Sequence, residues 1–387
     1  MQKLPSALRR LLMASSLLTV PAMAQAADAP AVVTSIKPIY GLTSALMDGV
    51  GEPTLLIDGA ASPHAYSLRP SEARALQNAD LVIYVSHNLE GFLEKPLETL
   101  SGNSHKLELI DADGLALREM REGGSWEAHS HDHGGHDHGD DHDDDDHDHD
   151  EHDHDHDHDH DHDHDHDHEH SDAHQHEDHD EHADHDDHDD HDHDGEEHHD
   201  HDHDHDHEHH HEHGGVDPHI WLDPANGAVI TSAIANELIE IDPAHAEKYR
   251  ENEKKLLASL TTLRNDLGDQ LAPVQDKPYV VFHDAYQYLE AGFGLNGVGS
   301  VTVSPEQKPG AKRLHEIEDK IRDTGAVCVF AEPQFRPAIV KAIVADTGAH
   351  IGTLDPLGAN IAKGPDAYQA IIKQNVDALA DCLGSGK

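Results

Sequence analysis

Positive charge is what this chain most clearly lacks. Its 387 residues hold 26 Lys and Arg against 79 Asp and Glu, a formal charge of −53 with histidine neutral. A surface of that sign does not neutralise phosphates, so nucleic acid is excluded as a partner and cations become the natural one. Long apolar runs are also missing. Leu11 to Val20 is too short to span a bilayer, and no later stretch is long and apolar enough to do so. Lys3, Arg9 and Arg10 precede that run, and Ala22-Met23-Ala24 and Ala24-Gln25-Ala26 follow it. This is the pattern of a signal peptide over residues 1–26, so the mature chain is expected to be exported and to start near Ala27. No cysteine lies near the cleavage site to carry a lipid anchor.

Cysteine is nearly absent, with Cys328 and Cys382 alone. An even count in an exported chain suggests one disulfide, with a thiolate metal site as the rival reading. There is no Cys-x-x-Cys pair, and no His-Glu-x-x-His. His315-Glu316 opens the latter pattern, but residue 319 is Asp. No nucleophile–base pair stands out either, so the chain is not expected to be an enzyme.

Histidine is present in excess. Residues 129–213 hold 36 of the 44 histidines and 40 of the acids, without one Lys or Arg. The remainder carries 39 acids and 26 bases, a moderately acidic body. His-Asp repeats have almost no apolar surface to offset the entropy of ordering. Residues 127–215, closed by Gly214-Gly215, therefore read as a disordered loop inserted into the first of two lobes. Without the leader and the tract, 276 residues remain, enough for two compact lobes.

The flanking sequence alternates strand and helix signals. Strands are expected at Ala31–Ile36, Thr54–Ile57, Leu81–Val85 and Lys106–Ile110, with helices at Tyr40–Met47, Pro70–Ala79 and Leu89–Leu100. Strands without polar alternation, separated by helices, predict a parallel sheet covered on both faces. Beyond the tract, Asp223-Pro224 reads as an N-cap followed by proline at the first helical position. A long amphipathic helix over 243–272 carries Tyr249, Leu256, Leu260, Leu263, Leu267 and Leu271 as one apolar stripe. A second series then follows, with strands at Tyr279–Phe282, Val298–Val303, Ala326–Ala331 and Ile351–Leu354. Asp284 with Gln287, and Asp366 with Gln369, read as capping boxes opening helices. The expected architecture is α/β: two (β/α)₄ lobes, an N-terminal one over 27–242 and a C-terminal one over 273–387, joined by the connecting helix.

Three histidines outside the tract share one setting. His64 follows the strand Thr54–Ile57, His283 ends the strand Tyr279–Phe282, and His219 stands between Pro218 and the apolar run Ile220–Leu222. Ligands of open α/β sheets gather beyond the carboxyl ends of strands. Asp355, after Ile351–Leu354, is a fourth candidate. Three imidazoles with an oxygen ligand suit Zn²⁺. Calcium and magnesium want all-oxygen cages, and manganese prefers more carboxylates. His87, His105, His245, His315 and His350 read as structural or solvated, Glu332 as an acceptor for a ligand imidazole or a strand-end cap, and Trp221 as core beside the site.

Five motifs occur in order: Ser62-Pro63-His64-Ala65-Tyr66-Ser67-Leu68-Arg69-Pro70-Ser71, His219-Ile220-Trp221-Leu222-Asp223-Pro224, Phe282-His283-Asp284-Ala285-Tyr286, Phe330-Ala331-Glu332-Pro333-Gln334-Phe335 and Thr353-Leu354-Asp355-Pro356-Leu357-Gly358. Together they resemble the zinc-specific solute-binding proteins of bacterial ABC importers, the ZnuA-type family. The resemblance implies a periplasmic carrier, acting as a monomer, that takes Zn²⁺ in a cleft between the lobes. It passes the ion to an inner-membrane permease driven by an ATPase. His64 and His219 would be ligands from the first lobe and His283 from the second. Asp355 or a water would be the fourth, because some zinc members have Glu where Pro63 stands here. The resemblance also implies a Cys328–Cys382 disulfide, and the tract becomes a low-affinity zinc collector or sensor. The alternatives are a carrier of manganese or another divalent metal, a zinc buffer or adhesin and, last, a zinc hydrolase.

Overall fold

The computed structural model describes residues 28–121, 215–302, 309–335 and 338–385. The expected leader, residues 1–26, and nearly all of the expected 127–215 loop lie outside the described residues. Two four-stranded parallel sheets form, each built around two buried central strands. In the first, β1 (Val32–Ile36), β2 (Thr54–Ile57), β3 (Leu81–Tyr84) and β4 (His105–Glu108) lie in the order β2-β1-β3-β4. In the second, β5 (Tyr279–His283), β6 (Gly297–Thr302), β7 (Cys328–Ala331) and β8 (His350–Thr353) repeat it as β6-β5-β7-β8. The central strands β1, β3, β5 and β7 are buried at every residue, as a sheet covered on both faces requires. Each lobe is thus the α/β unit expected from the alternating pattern, and the carboxyl ends of the central strands become the ligand-bearing rim.

The covering helices are α1 (Lys37–Leu46), α2 (Pro70–Gln77), α3 (Glu94–Thr99) and α4 (Pro224–Ile241) for the first sheet. For the second they are α6 (Gln287–Phe293), α7 (Ala311–Thr324), α8 (Ala338–Val344) and α9 (Ala367–Ser385). Between the two sets runs α5 (Ala246–Leu271), 26 residues or about 39 Å long. It buries Tyr249, Leu256, Leu260, Leu267 and Leu271 and packs on α1, α4 and α9. One helix therefore touches helices of both lobes, as its apolar stripe predicts. No helix among the described residues is long and apolar enough to cross a membrane.

Local chemistry explains where these elements begin. Asp223 caps α4, its Oδ1 accepting the Ala225 N–H at 2.8 Å with Pro224 next in line, as expected. The first helix starts at Lys37, three residues earlier than its apolar pattern suggests, because Pro38 supplies a preset φ at the first turn. The expected helix Leu89–Leu100 is broken into a 3-10 turn, Gly91–Leu93, and the short α3. Pro96 has no N–H to donate back to the preceding turn.

Neither predicted capping box forms. The residue preceding α6 is Tyr286, with no side-chain cap. Asp284 instead pairs with Arg121, and Gln287 Nε2 donates to the Glu119 carbonyl and to Asp217. Gln369 likewise donates to Ser259 on α5. Long-range partners won over local ones in both places. The cysteines are joined: Cys328 on β7 and Cys382 on α9 form a disulfide with Cα atoms 6.3 Å apart.

Candidate metal centre

Each of the three histidines is set by its own local device. His64 lies in a 3-10 turn, Pro63–Ala65, whose start is capped by Ser62 Oγ accepting the His64 N–H at 3.3 Å. His219 precedes a second such turn, Ile220–Leu222, and its backbone N–H donates to Asp217 Oδ1 at 3.0 Å. Rigid proline thus precedes both first-lobe histidines. His283 needs no turn, since it is the last residue of the fully buried β5.

These three residues converge. One ring nitrogen from each lies within 4.8 Å of the others, a group containing His64, His219 and His283 and no carboxylate. Ring centroids are 5.6 Å apart for His64 and His219, 6.1 Å for His64 and His283, and 5.3 Å for His219 and His283. The two deeper rings are oriented from behind. His219 Nδ1 is 2.7 Å from Asp217 Oδ1, and His283 Nδ1 is 2.6 Å from Glu332 Oε1. A carboxylate can only accept, so both imidazoles carry their proton on Nδ1 and present the Nε2 lone pair forward. The two Nε2 atoms stand 3.4 Å apart. Two nitrogens bound at about 2.0–2.1 Å to a tetrahedral zinc stand about 3.3–3.4 Å apart, so the spacing is that of ligands sharing one ion.

The electrostatics agree with neutral donors. Burial pushes the His219 imidazole well below its usual range, and the neighbouring His283 adds to the effect. Burial likewise lifts the Asp217 carboxyl, to about 6. Above that pH it is an anion facing a neutral, N–H-donating ring. The walls are apolar, including Pro63, Trp221, Phe335, Pro356 and Leu357, which keeps the local dielectric low. Trp221 is fully buried there and donates its indole N–H to the Pro356 carbonyl at 2.9 Å. Glu332 Oε2 and Gln334 Oε1, in two residues that line the site, are buried without a hydrogen-bond partner among the described residues.

Asp355 stands apart from the histidine group. Its Oδ1 accepts Gln334 Nε2 at 2.9 Å and the N–H groups of Leu357 and Gly358 at 3.2 and 3.0 Å. Its Oδ2 accepts the Ala359 N–H at 2.6 Å. From the other side Lys37 Nζ holds the carbonyls of Gly358, Ala359 and Ile361. In this structure Asp355 organises the loop that walls the site. The remaining described histidines are elsewhere: His87, His105, His245 and His315 pair with Glu108, Glu237, Asp242 and Glu318, and His350 is exposed on β8.

Asp217 was not among the residues expected at the site. Its signal is present, an acid two residues before a histidine with proline between, but it is short and common. A longer-range feature has no such signal. Residues 118–121 and 215–217 run antiparallel as a short stem, joined by an isolated bridge between Glu119 and Val216, with Met120 N–H to Gly215 O at 2.6 Å and Asp217 N–H to Arg118 O at 2.9 Å. Arg121 closes this stem onto the second lobe through Asp284 and Glu290.

Comparison with known proteins gives consistent results. The family described as zinc-uptake complex component A, periplasmic, matches residues 32–382. The high-affinity zinc uptake system protein ZnuA of Brucella abortus (strain 2308) is 44% identical over 358 residues, covering 92% of this chain and 93% of its own. Among solved structures, the periplasmic zinc-binding protein TroA of Treponema pallidum aligns with a TM-score of 0.63 at 16% identity, over 92% of this chain and 99% of its own. The solute-binding protein FpvC of Pseudomonas aeruginosa, solved with Mn²⁺, aligns at 0.62 and 17% identity, over 93% and 100%. At those identities the two structures speak for the fold alone.

Proposed function

The chain belongs to the periplasmic zinc-uptake complex component A family, and on that premise we propose that it captures Zn²⁺ between its lobes with His64, His219 and His283. The observation that carries this reading is the 3.4 Å separation of His219 Nε2 and His283 Nε2, each ring held from behind by a carboxylate. The all-imidazole donor set favours zinc over manganese, which prefers carboxylate oxygen. A water takes the fourth position, since the Asp355 oxygens already receive four N–H donors. The zinc ion is cargo. The leader directs the chain to the periplasm, and the loaded protein hands its ion to a membrane permease with a cytoplasmic ATPase. The tract at 129–213 supplies many weaker zinc sites that collect or sense the metal.

The test is a chelator-competition titration of the full chain and of a form lacking 129–213. One tight, stoichiometric zinc site is expected to survive the deletion while the weaker sites disappear. Loss of all tight binding with the tract would sink the proposal.

A further inference from the structure

His219 and His283 are both oriented by a carboxylate, but the two carboxylates are held differently. Glu332 follows β7, the strand hydrogen-bonded directly to β5, so the carboxylate behind His283 comes from its own sheet. Asp217 belongs to the stem, and the second lobe holds it. Its Oδ2 accepts Gln287 Nε2 at 3.2 Å, and its carbonyl accepts the Tyr288 hydroxyl at 2.8 Å. The same two side chains grip the opposite stem strand: Gln287 Nε2 donates to the Glu119 carbonyl at 2.9 Å, and the Tyr288 hydroxyl accepts the Arg118 N–H at 3.0 Å. Gln287 and Tyr288 both lie on α6, four and five residues after His283. The helix that follows one candidate ligand thus fixes the carboxylate behind the other.

We propose that Gln287 is a cross-lobe positioning residue: through Asp217 it keeps His219 in the Nδ1–H form, ready to bind metal, only while the second lobe is seated on the stem. Asp217 is buried, with 2% exposure, and its Oδ1 is taken by the His219 backbone N–H and ring. Gln287 supplies a donor to Oδ2. Without it a buried carboxylate oxygen loses its partner, an expensive state that Asp217 relieves by turning, and the His219 ring loses its anchor. Separation of the lobes removes Gln287 and Tyr288 from the stem together. Release of the ion therefore begins at His219, while His283 keeps Glu332.

This inference rests on the zinc-site reading, and its test separates the two. Gln287→Leu keeps a branched side chain, one bond shorter, and removes the donor. Asp217→Asn is the second variant. With an amide at 217, one of its contacts to His219 or Gln287 must set donor against donor. Imidazole ¹⁵N spectra of the metal-free protein report the tautomer of each ring, and capture of zinc by excess chelator reports dissociation. In Gln287→Leu, His219 is expected to lose its predominant Nδ1–H form while His283 retains it. Zinc should leave about tenfold faster, the lower end of the effect of removing a group that orients a metal-bound histidine. The melting temperature of the metal-free protein should stay close to wild type. Unchanged His219 spectra in both variants would overturn the proposal, as would equal disturbance of His219 and His283. If the unsubstituted protein shows no tight zinc site, the zinc reading fails, and the metal-free spectra still decide the positioning role.

Discussion

The two lobes share one strand order and present their histidines in different ways. The first sheet, β2-β1-β3-β4, offers His64 and His219 from proline-bounded turns beyond its strands. The second, β6-β5-β7-β8, offers His283 from the end of a buried strand, with its orienting carboxylate after the adjacent strand. A repeated scaffold therefore does not imply a repeated site. Where a ligand sits on a strand, the sheet supplies its rigidity. Where it sits on a turn, that rigidity has to be imported, here by proline, by Asp217 and by contacts from the other lobe.

The lobes also differ in what holds them together, and the largest expected effect tests that. Only the second carries the disulfide, which closes a loop of 54 residues. Chain-entropy arguments put its contribution at about 4 kcal/mol. Replacing Cys328 and Cys382 together by Ser should lower the urea midpoint accordingly. If the first sheet's unfolding transition, followed separately by hydrogen exchange, fell by the same amount, the lobes would be one cooperative unit and the distinction would lose its meaning.

Next in size is the loss of a histidine. His283→Ala removes the second-lobe member of the three histidines and leaves Glu332 without its ring partner, so zinc affinity should drop by more than about 100-fold, the upper end of the effect of removing a supporting group. His64→Ala removes a less buried ring, and a smaller drop is expected by isothermal titration of the tract-deleted protein. Equal losses would show that burial does not rank the ligands.

A further effect concerns a buried acid of the first lobe alone. Glu90 accepts the Ser35 hydroxyl at 2.5 Å and the Val85 and Ser86 N–H groups, yet burial, the dominant influence, lifts its carboxyl from 4.5 to about 7. The folded state thus favours the protonated form. The resulting stability is fully present below about pH 4.5 and is lost as pH rises through about 7. Glu90→Gln should flatten the pH dependence of first-lobe stability across that interval, and an unchanged slope in urea denaturation would refute the assignment.

Much of this was legible in the chain. The strands announce themselves as apolar runs, Asp223-Pro224 marks its helix start, and His64, His219 and His283 stand out because each follows a strand or a proline. The five motifs identify the family, and the family pairs Cys328 with Cys382. What escaped is of one physical kind. Asp284 and Gln287 have the spacing of a capping box, but their side chains reach residues more than 150 positions away in sequence, or 70 in the case of Asp217. At Asp355, the strand-end position that suggests a ligand does not reveal that its oxygens also accept the N–H groups of its own loop. Local pattern reports which groups are polar and where the backbone turns. It does not report which of several partners a polar side chain will choose once the chain has closed on itself.

The stem has a consequence for how such a protein can vary. Met120 and Gly215 are hydrogen-bonded neighbours, although 93 residues separate Arg121 from Gly215 in the chain. With the two ends already joined, the intervening segment can be lengthened, shortened or rewritten without shifting any residue of the site. For a simple polymer loop, each doubling of length changes the closure free energy by only about 0.6 kcal/mol. The number of His-Asp repeats is thus a setting nearly independent of His219, which lies four residues past Gly215.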